Sequence, residues 1–575
     1  MIKTPNFDLK IKKLLDEVKP GERICPMSGE TWQMTDEEIS WYRKFNVPPQ
    51  ERSPLTRIRE MMTLFIGYEW WYHKHPQTGK QVVSLVHPAT GIQVLPDKEW
   101  FEKDFSNTIM SYDKEKPFFE QFFDFYKQIP VNALRNLIEP ENSIAMASFG
   151  NTNSYFTVAS KTKNSLYCSQ TEAEDSAEIY ASKDIHRSYN VAFSQRIHGS
   201  KFILQSRDCL NSAFLFDCRN CEFCFGATNQ RNKTYLWWNE QLSQKEWEKR
   251  FAEMNISCRS KLQPHLEQFH NLVGDAVWPE NFNEGVENCT GEYLFDSTNL
   301  SHCYYAANGS QDQYRTTFSF GESRDCAYSV VFQFSNNLYS CWLTARSANC
   351  KFCIATTQCD GLEYSINCYN CTDCFGCIGL QRKKFCIFNV QYGEKDYWKE
   401  LDEIKCILLD RGEYGIFFPA WMSHAYVPTS GAVFMYLATR EDLQKLGARF
   451  FEPESSGAAG AALEGTSFRS SSEVPDCANG LTNEWLNTPI LDEKIGRRFA
   501  YLKPEQRFYQ DLKIAPPNNH FTERIKNLFR QCNTAISEKT TCYVCKKDVT
   551  TYKNQTYQNR KIYCKACYHR HLETT

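Results

Sequence analysis

The sequence predicts a mainly β protein: a duplicated, parallel β-helix-like solenoid with helical connectors, flanked by small α+β modules. Two observations predict this fold. One is a short repeat of 11 or 12 residues across the middle of the chain, and the other is a 150-residue offset at which that repeat region matches itself. A fixed period this short implies units that cannot fold singly and must stack.

The repeat is plainest from Cys326 onward, where Cys326, Leu338, Cys350, Leu362, Cys374 and Cys386 recur every 12 residues. Positions two and four residues later (Tyr328 and Val330, Phe352 and Ile354, Tyr364 and Ile366) are mostly apolar. Such alternation is the period of a half-buried strand. The intervening residues are rich in turn formers such as Asn, Asp, Ser and Gly. The earlier stretch keeps the pattern with Ser in place of Cys: Ser143, Ser154, Ser165 and Ser176 lie 11 apart, and Ser188, Ser200, Ser212 and Cys224 lie 12 apart. Each unit is expected to hold one strand and one turn, and two units, 22–24 residues, to make one coil. Stacked coils place equivalent side chains in ladders about 4.8 Å apart, with Cys and Ser as compact inner filler and Asn bonding along the stack. An antiparallel meander is the competing arrangement.

The duplication is visible in Asp217-Cys-Arg-Asn-Cys-Glu-Phe-Cys-Phe-Gly226 against Asn367-Cys-Tyr-Asn-Cys-Thr-Asp-Cys-Phe-Gly376. A charged, helical stretch follows each copy, suited to covering an open sheet edge. The predicted organisation is an N-terminal module (1–140), a first solenoid copy (141–239), a helical connector (240–285), a second copy (286–393), a helical cap and extension (394–450), a Gly/Ala/Ser-rich flexible linker (451–480) and a C-terminal module (481–575). The ends are themselves related at an offset of 467: Trp41-Tyr42 matches Phe508-Tyr509, Pro48-Pro49 matches Pro516-Pro517, and Arg57-Ile58 matches Arg524-Ile525. Carried forward, this places His75 and Thr78 opposite Cys542 and Cys545. With a one-residue slip it places Pro96 and Glu99 opposite Cys564 and Cys567.

Cys542-x2-Cys545 and Cys564-x2-Cys567, separated by 18 residues, carry the strongest chemical signal. Two such knuckles can present four thiolates tetrahedrally to one Zn2+. Four protein ligands leave no open position, so the expected ion is structural, and the C-terminal module is read as a zinc ribbon. Cys218-x2-Cys221-x2-Cys224 and Cys368-x2-Cys371-x2-Cys374 have metal-like spacing too. However, Cys374 falls on a ladder that elsewhere accepts Ser and Leu, which points to size rather than ligation. Cys25-x2-Ser28-Gly29 and His75-x2-Thr78-Gly79 look like half-knuckles. Tyr543, Tyr552, Tyr557, Tyr563 and Tyr568 are either stacking surfaces for bases or the packing of a small core.

Net charge is −3, which gives no whole-chain attraction to nucleic acid or anionic membrane. No apolar run is long enough to cross a bilayer, and no secretory leader is recognisable, so a cytoplasmic location is expected. There the 26 cysteines should be thiols or metal ligands rather than disulfides. Phosphate-loop, nucleophile-elbow and HExxH motifs are absent. Asp217, Asp296, Asp325, Asp360 and Asp373 fall at turns, so no acid/base pair is assigned.

These features together resemble a family of uncharacterised proteins of candidate-phyla-radiation (Patescibacteria) bacteria. The resemblance rests on Cys25-x2-Ser-Gly, Tyr42-Arg-Lys-Phe-Asn-Val-Pro-Pro49, Pro117-Phe-Phe-Glu-Gln-Phe122, the 367–376 run, Gly412-Glu-Tyr-Gly-Ile-Phe-Phe-Pro419 and the terminal paired CxxC. Members carry more CxxC pairs at both ends, which implies that the N-terminal set here has decayed. The sequence-level expectation is a nonenzymatic scaffold with a protein partner. A nucleic-acid binder acting through the zinc ribbon is the alternative, and a carbohydrate-active β-helix the second.

Overall fold

The computed structural model describes residues 3–65, 69–451 and 467–574. Strands exceed helices, and most of the sheets are parallel. No described helix is long and apolar enough to cross a membrane.

The repeat region pairs with itself one unit at a time. Ala177–Tyr180 pairs in parallel with Tyr189–Ala192, which pairs with Lys201–Leu204 and then with Ala213–Phe216. Lys183–His186, between the first two, pairs with Gln195–His198 and Arg207–Leu210. Each 12-residue unit thus holds two short strands and meets the next unit directly. The repeat per layer is therefore 11 or 12 residues, not the expected 22–24.

The inward period is also different from the alternation read in the sequence. Ser176, Ile179, Ser182, Ile185, Ser188, Val191, Ser194 and Ile197, every third residue, are all buried. The residue before each one has positive φ: Asp175, Glu178, Ala181, Asp184, Arg187, Asn190, Phe193 and Arg196. A left-handed residue every third position turns the chain through four corners per 12 residues. That conformation is costly for side chains larger than Asn or Asp. It is held because the N–H of each such residue donates to the preceding layer, as from Asp175 to the Lys163 carbonyl (3.0 Å) and from Glu178 to the Leu166 carbonyl (3.0 Å).

The four inward columns divide by chemistry. Two carry branched aliphatics, such as Ile179, Val191, Ile203 and Leu215. The other two carry Ser, then Cys. Ser188 N donates to Ser176 Oγ (3.1 Å), Ser200 N to Ser188 Oγ (3.2 Å) and Cys224 N to Ser212 Oγ (3.0 Å), while Ser176 Oγ donates to the Glu174 carbonyl (2.7 Å). Ser is preferred where a buried N–H needs an acceptor. Cys serves where only the donor to the residue two back is required. The Asn ladder is present: Asn142 bonds Asn153 (2.8 Å), and Asn164 bonds Asp175 (3.0 Å).

Alternate positions looked apolar because one outer face is covered. Tyr328, Tyr339, Phe352, Tyr364, Phe375 and Phe388 are all buried. The aromatics of this face are therefore not a free flat surface. Both stacks end alike. Gly226, with positive φ, has no room for a Cβ beside the Trp238 ring, and Gly376 has none beside the Phe388 ring. A short hairpin closes each stack, at 236–241 and 386–391, and a helix follows, Gln244–Glu253 and Glu394–Asp410.

Two compact units result, and they do not follow chain order. Unit 1 joins the N-terminal residues 1–69 and 73–133 to the second stack and its extension, 283–452. Unit 2 joins the first stack and connector, 134–282, to the C-terminal residues 453–575, with 70–72. In unit 1 the helix Pro5–Glu17 lies against the helix Glu394–Asp410, whose Asp402 accepts from the backbone N–H of Asn6 (3.2 Å) and Phe7 (2.8 Å). The Glu363 carboxylate is clasped by Lys405 Nζ (2.9 Å), Lys351 Nζ (3.3 Å) and the Tyr414 hydroxyl (2.7 Å).

Of the linker expected over 451–480, residues 452–466 lie outside the described residues. The remainder is ordered: Arg469–Ser470 pairs with Ile490–Leu491. Cys477 is disulfide-bonded to Cys258. That bond departs from the expectation that every cysteine is a thiol or a ligand. The antiparallel bridge between the same two residues sets the cysteines directly opposite each other.

Candidate metal centre

The antiparallel strands Asn533–Thr541 and Asp548–Asn554 meet in a tight tip. There Cys542 N donates to the Lys547 carbonyl (2.8 Å), and Lys546 N to the Cys542 carbonyl (3.0 Å). Lys546 takes positive φ to make the turn. The strand Lys561–Tyr563 then delivers Cys564 to the start of the helix Lys565–Thr574, which carries Cys567. The sulfurs of Cys542, Cys545, Cys564 and Cys567 all lie within 4.8 Å of one another. All four residues singled out in the sequence are thus brought together.

The surroundings favour thiolate. Burial would raise the Cys542 thiol, but the backbone N–H groups of Cys545, Cys564 and Val544 more than offset it, and the group sits at about 6. Cys567 is pushed up to about 12, chiefly by its hydrogen bond to Cys564. Four sulfurs this close together are a donor set suited to a divalent cation.

The module docks on the first stack. Lys561–Tyr563 pairs in parallel with Val277–Pro279. The Tyr568 hydroxyl, beside Cys567, donates to the Asp217 carboxylate, which also holds Arg231 (3.1 Å). Tyr552, Tyr557 and Tyr568 are buried in this small core, whereas Tyr543 is 53% exposed beside Val544 at the knuckle tip.

The same tip geometry recurs elsewhere. His75 N donates to the Lys80 carbonyl (2.8 Å) and Gly79 N to the His75 carbonyl (3.0 Å). At the third tip, Cys25 N donates to the Glu30 carbonyl (2.8 Å) and Gly29 N to the Cys25 carbonyl (2.9 Å). The helix Asp97–Glu102 matches Lys565–Thr574 at an offset of 468, and Trp100 N donates to the Pro96 carbonyl (2.9 Å) as Tyr568 N does to the Cys564 carbonyl (2.9 Å). With that one-residue slip Pro96 and Glu99 stand opposite Cys564 and Cys567. Trp100, opposite Tyr568, is buried with its indole N–H on the Pro130 carbonyl (2.7 Å). Glu99 bonds His75 Nε2 (2.7 Å), so the residues opposite Cys567 and Cys542 meet as their counterparts do.

Sequence reading missed a further set of four. Cys25 and Ser28 face Ser53 and Thr56 at the start of the helix Pro54–Met62. Cys25 Sγ lies 3.4 Å from Thr56 Oγ1, Ser28 Oγ lies 3.3 Å from it, and Ser53 Oγ lies 3.0 Å from it. Burial raises the Cys25 thiol, but Ser28, Thr56 and two backbone N–H groups outweigh it and bring it to about 7. The signal was the matching x2 spacing of Ser53 and Thr56. In unit 2 the equivalent knuckle is Asp492 to Gly496, with Gly496 N donating to the Asp492 carbonyl (2.9 Å). Asp492 also takes the backbone N–H of His520 (2.9 Å).

The CxxCxxC runs are built differently. Cys218 Sγ donates to the Phe216 and Ala227 carbonyls (3.5 and 3.4 Å), and Cys371 Sγ to the Tyr369 and Leu380 carbonyls (both 3.4 Å). Each thiol bonds backbone in its own layer and the next. Among the described residues, no three of these sulfurs lie within 4.8 Å of one another. Of the turn aspartates, Asp217 is consumed in the docking contact, Asp325 pairs with Lys44 and Asp373 pairs with Lys3.

The chain matches no family model and no curated protein. Among the solved structures it is similar to is a putative acetyltransferase from Desulfovibrio desulfuricans G20, at 9% identity over 40% of this chain and 65% of that one, with a TM-score of 0.11. A likeness that slight carries no argument about fold or activity.

Proposed function

We propose that the chain is a nonenzymatic scaffold. Its two parallel stacks are β-solenoids, each locked to a small α+β module, and the C-terminal module is a zinc ribbon holding one structural Zn2+ through Cys542, Cys545, Cys564 and Cys567. The family resemblance stands with this reading. The observation that carries it is how the buried charged groups are used. In unit 1 Arg57 bonds Glu38 (2.8 Å), Tyr42 (3.0 Å) and Tyr339 (2.5 Å). In unit 2 Arg524 bonds Glu178 (2.7 Å) and Tyr509 (2.7 Å). Groups of the kind that catalyse elsewhere are here bonded to one another and clamp module to stack.

A protein partner is proposed at the ribbon tip, where Tyr543 and Val544 are exposed. An amphipathic aromatic beside an aliphatic suits a small docking point. Crosslinking mass spectrometry in native extract, with and without nuclease, tests it. One defined protein crosslinked at the tip, insensitive to nuclease and lost in Tyr543→Ser/Val544→Asp, is the expected result.

One observation favours a second reading. Tyr543 stacks on Tyr563 with centroids 6.1 Å apart and planes 8° apart, and Lys546 lies over Tyr543. A ring stack with a lysine suits a single-stranded nucleic acid. Salt-dependent binding of an oligonucleotide that disappears in Tyr543→Ser would replace the protein-partner reading.

A further inference from the structure

Unit 1 contains a long polar cleft that the scaffold reading leaves unused. One wall is a single corner column of the second stack: Asn288, Asn299, Asp312, Asp325, Asn337 and Asn349, one residue per layer, all with positive φ. The opposite wall comes from the helix Asp36–Phe45 and from the region around Trp398. Two hollows, of about 530 Å³ and about 440 Å³, lie along it. Trp41 borders the first, Trp398 the second, and Lys44 both.

The column amides are bonded in series. Asn288 donates to Asn299 (2.9 Å), Asn299 to Asp312 (2.9 Å), Asn337 to Asn349 (2.7 Å) and Asn349 to Asp360 (2.7 Å). An amide has two N–H donors and two carbonyl lone pairs. After the ladder bonds are made, each interior Asn keeps one N–H and one lone pair for a ligand. These recur at the layer spacing of about 4.8 Å, comparable with the advance per ring of an extended glycan. Several charges in the cleft are paired, Lys44 with Asp325, Lys3 with Asp373, and Lys351 and Lys405 with Glu363, while Asp8, Glu37 and Asp312 add carboxylates that no lysine among the described residues pairs. That balance repels a polyanion and leaves only a weak pull on a polycation. Lysine tips lie over the indoles, Lys3 Nζ 4.2 Å over Trp398 and Lys44 Nζ 4.5 Å over Trp41, and Trp41 also stacks against Tyr314 and Phe45 (centroids 6.0 Å each). Lys3 is 58% exposed, so a sugar ring could displace it from the Trp398 face.

We infer that this cleft binds a neutral, linear oligosaccharide, its rings seated on Trp41 and Trp398 and its hydroxyls read by the Asn column. This inference does not depend on the metal centre or on the partner at the ribbon tip.

The test is calorimetric titration of the full chain with neutral linear hexasaccharides of glucose, xylose, mannose and N-acetylglucosamine. Hexagalacturonate and hexalysine serve as the charged comparison. At least one neutral hexamer should bind with a micromolar to low-millimolar Kd. Trp398→Leu should weaken it tenfold or more, and Asn349→Ala several-fold, with unchanged melting temperatures. Both substitutions are at the surface, so the fold is retained even if Trp41→Ala proves unstable. Failure of all four neutral hexamers at 10 mM, tighter binding of either charged hexamer, or affinity unchanged in Trp398→Leu would overturn the inference.

Discussion

Arg524 donates to the Glu178 carboxylate at 2.7 Å, and this buried pair joins the C-terminal module to the first stack. Arg57, 467 positions earlier, does the same work in unit 1 through Glu38 and Tyr339. The two knots differ in balance. Burial raises Glu38, but Arg57 and Arg315 outweigh it and the net shift is downward. Glu505 has only Arg524, which Glu178 shares, so burial wins and its carboxyl is raised.

Replacing Arg524 with Met leaves Glu178 buried and unpaired. Breaking such a pair costs about 3–5 kcal/mol. Urea unfolding should show a loss of that order, and Glu178→Gln added to Arg524→Met should restore part of it. An unchanged midpoint in the single variant would show that the module is not clamped here.

The inner cysteines should behave as filler. Cys218→Ser keeps the size and the donor to Phe216, and should cost less than about 1.5 kcal/mol. Ser200→Ala removes the acceptor for Ser212 N–H and leaves a buried donor unmet, at about 1–3 kcal/mol. Thermal melts of the two variants should therefore rank Ser200→Ala as the more damaging.

Glu363 gives a pH signature. Burial alone would raise its carboxyl, but Lys351 and Lys405 outweigh burial and hold it at about 2. That lies below the free value of about 4.3. The folded chain therefore keeps this charge more readily than the unfolded one. The resulting stability is full above pH about 4.3 and is lost as pH falls towards 2. Lys405, buried more deeply with one carboxylate shared between two ammoniums, is pushed down to about 8 by burial. Glu363→Gln should lower stability at neutral pH and flatten the acid limb between pH 4.5 and 2, followed by circular dichroism.

The four-residue cluster at Cys25 should be convertible. Ser28→Cys, Ser53→Cys and Thr56→Cys together would place four sulfurs where one sulfur and three hydroxyls now meet. The triple variant should bind one more Zn2+ per chain than the parent and melt higher with zinc than without. No added zinc would mean that the cluster does not share the geometry of the C-terminal site.

Much of this was legible in the sequence. The ladder Cys326 to Cys386, the 150-residue copy, the cluster of Cys542, Cys545, Cys564 and Cys567 and the relation of Arg57 to Arg524 all follow from spacing alone, because stacked layers and paired knuckles both demand fixed intervals. The three-residue inward period was not legible. Tyr328 and Val330 are buried from outside, by the module docked on that face, so a tertiary contact mimicked strand alternation. The crossed assembly of modules and stacks was hidden too, since Arg57 and Tyr339 are 282 residues apart. The one-residue slip near Pro96 was legible as well: Glu99, opposite Cys567, bonds His75, opposite Cys542.

The central claim is that thiols act as packing in the stacks and as ligands only near the C-terminus. Metal analysis of the purified full chain, beside a Cys545→Ser/Cys564→Ser variant, tests it most directly. The account predicts one zinc per chain in the parent, none in the variant, and no iron in either. Metal retained by the variant, and lost only when Cys218–Cys224 or Cys368–Cys377 are replaced, would contradict it.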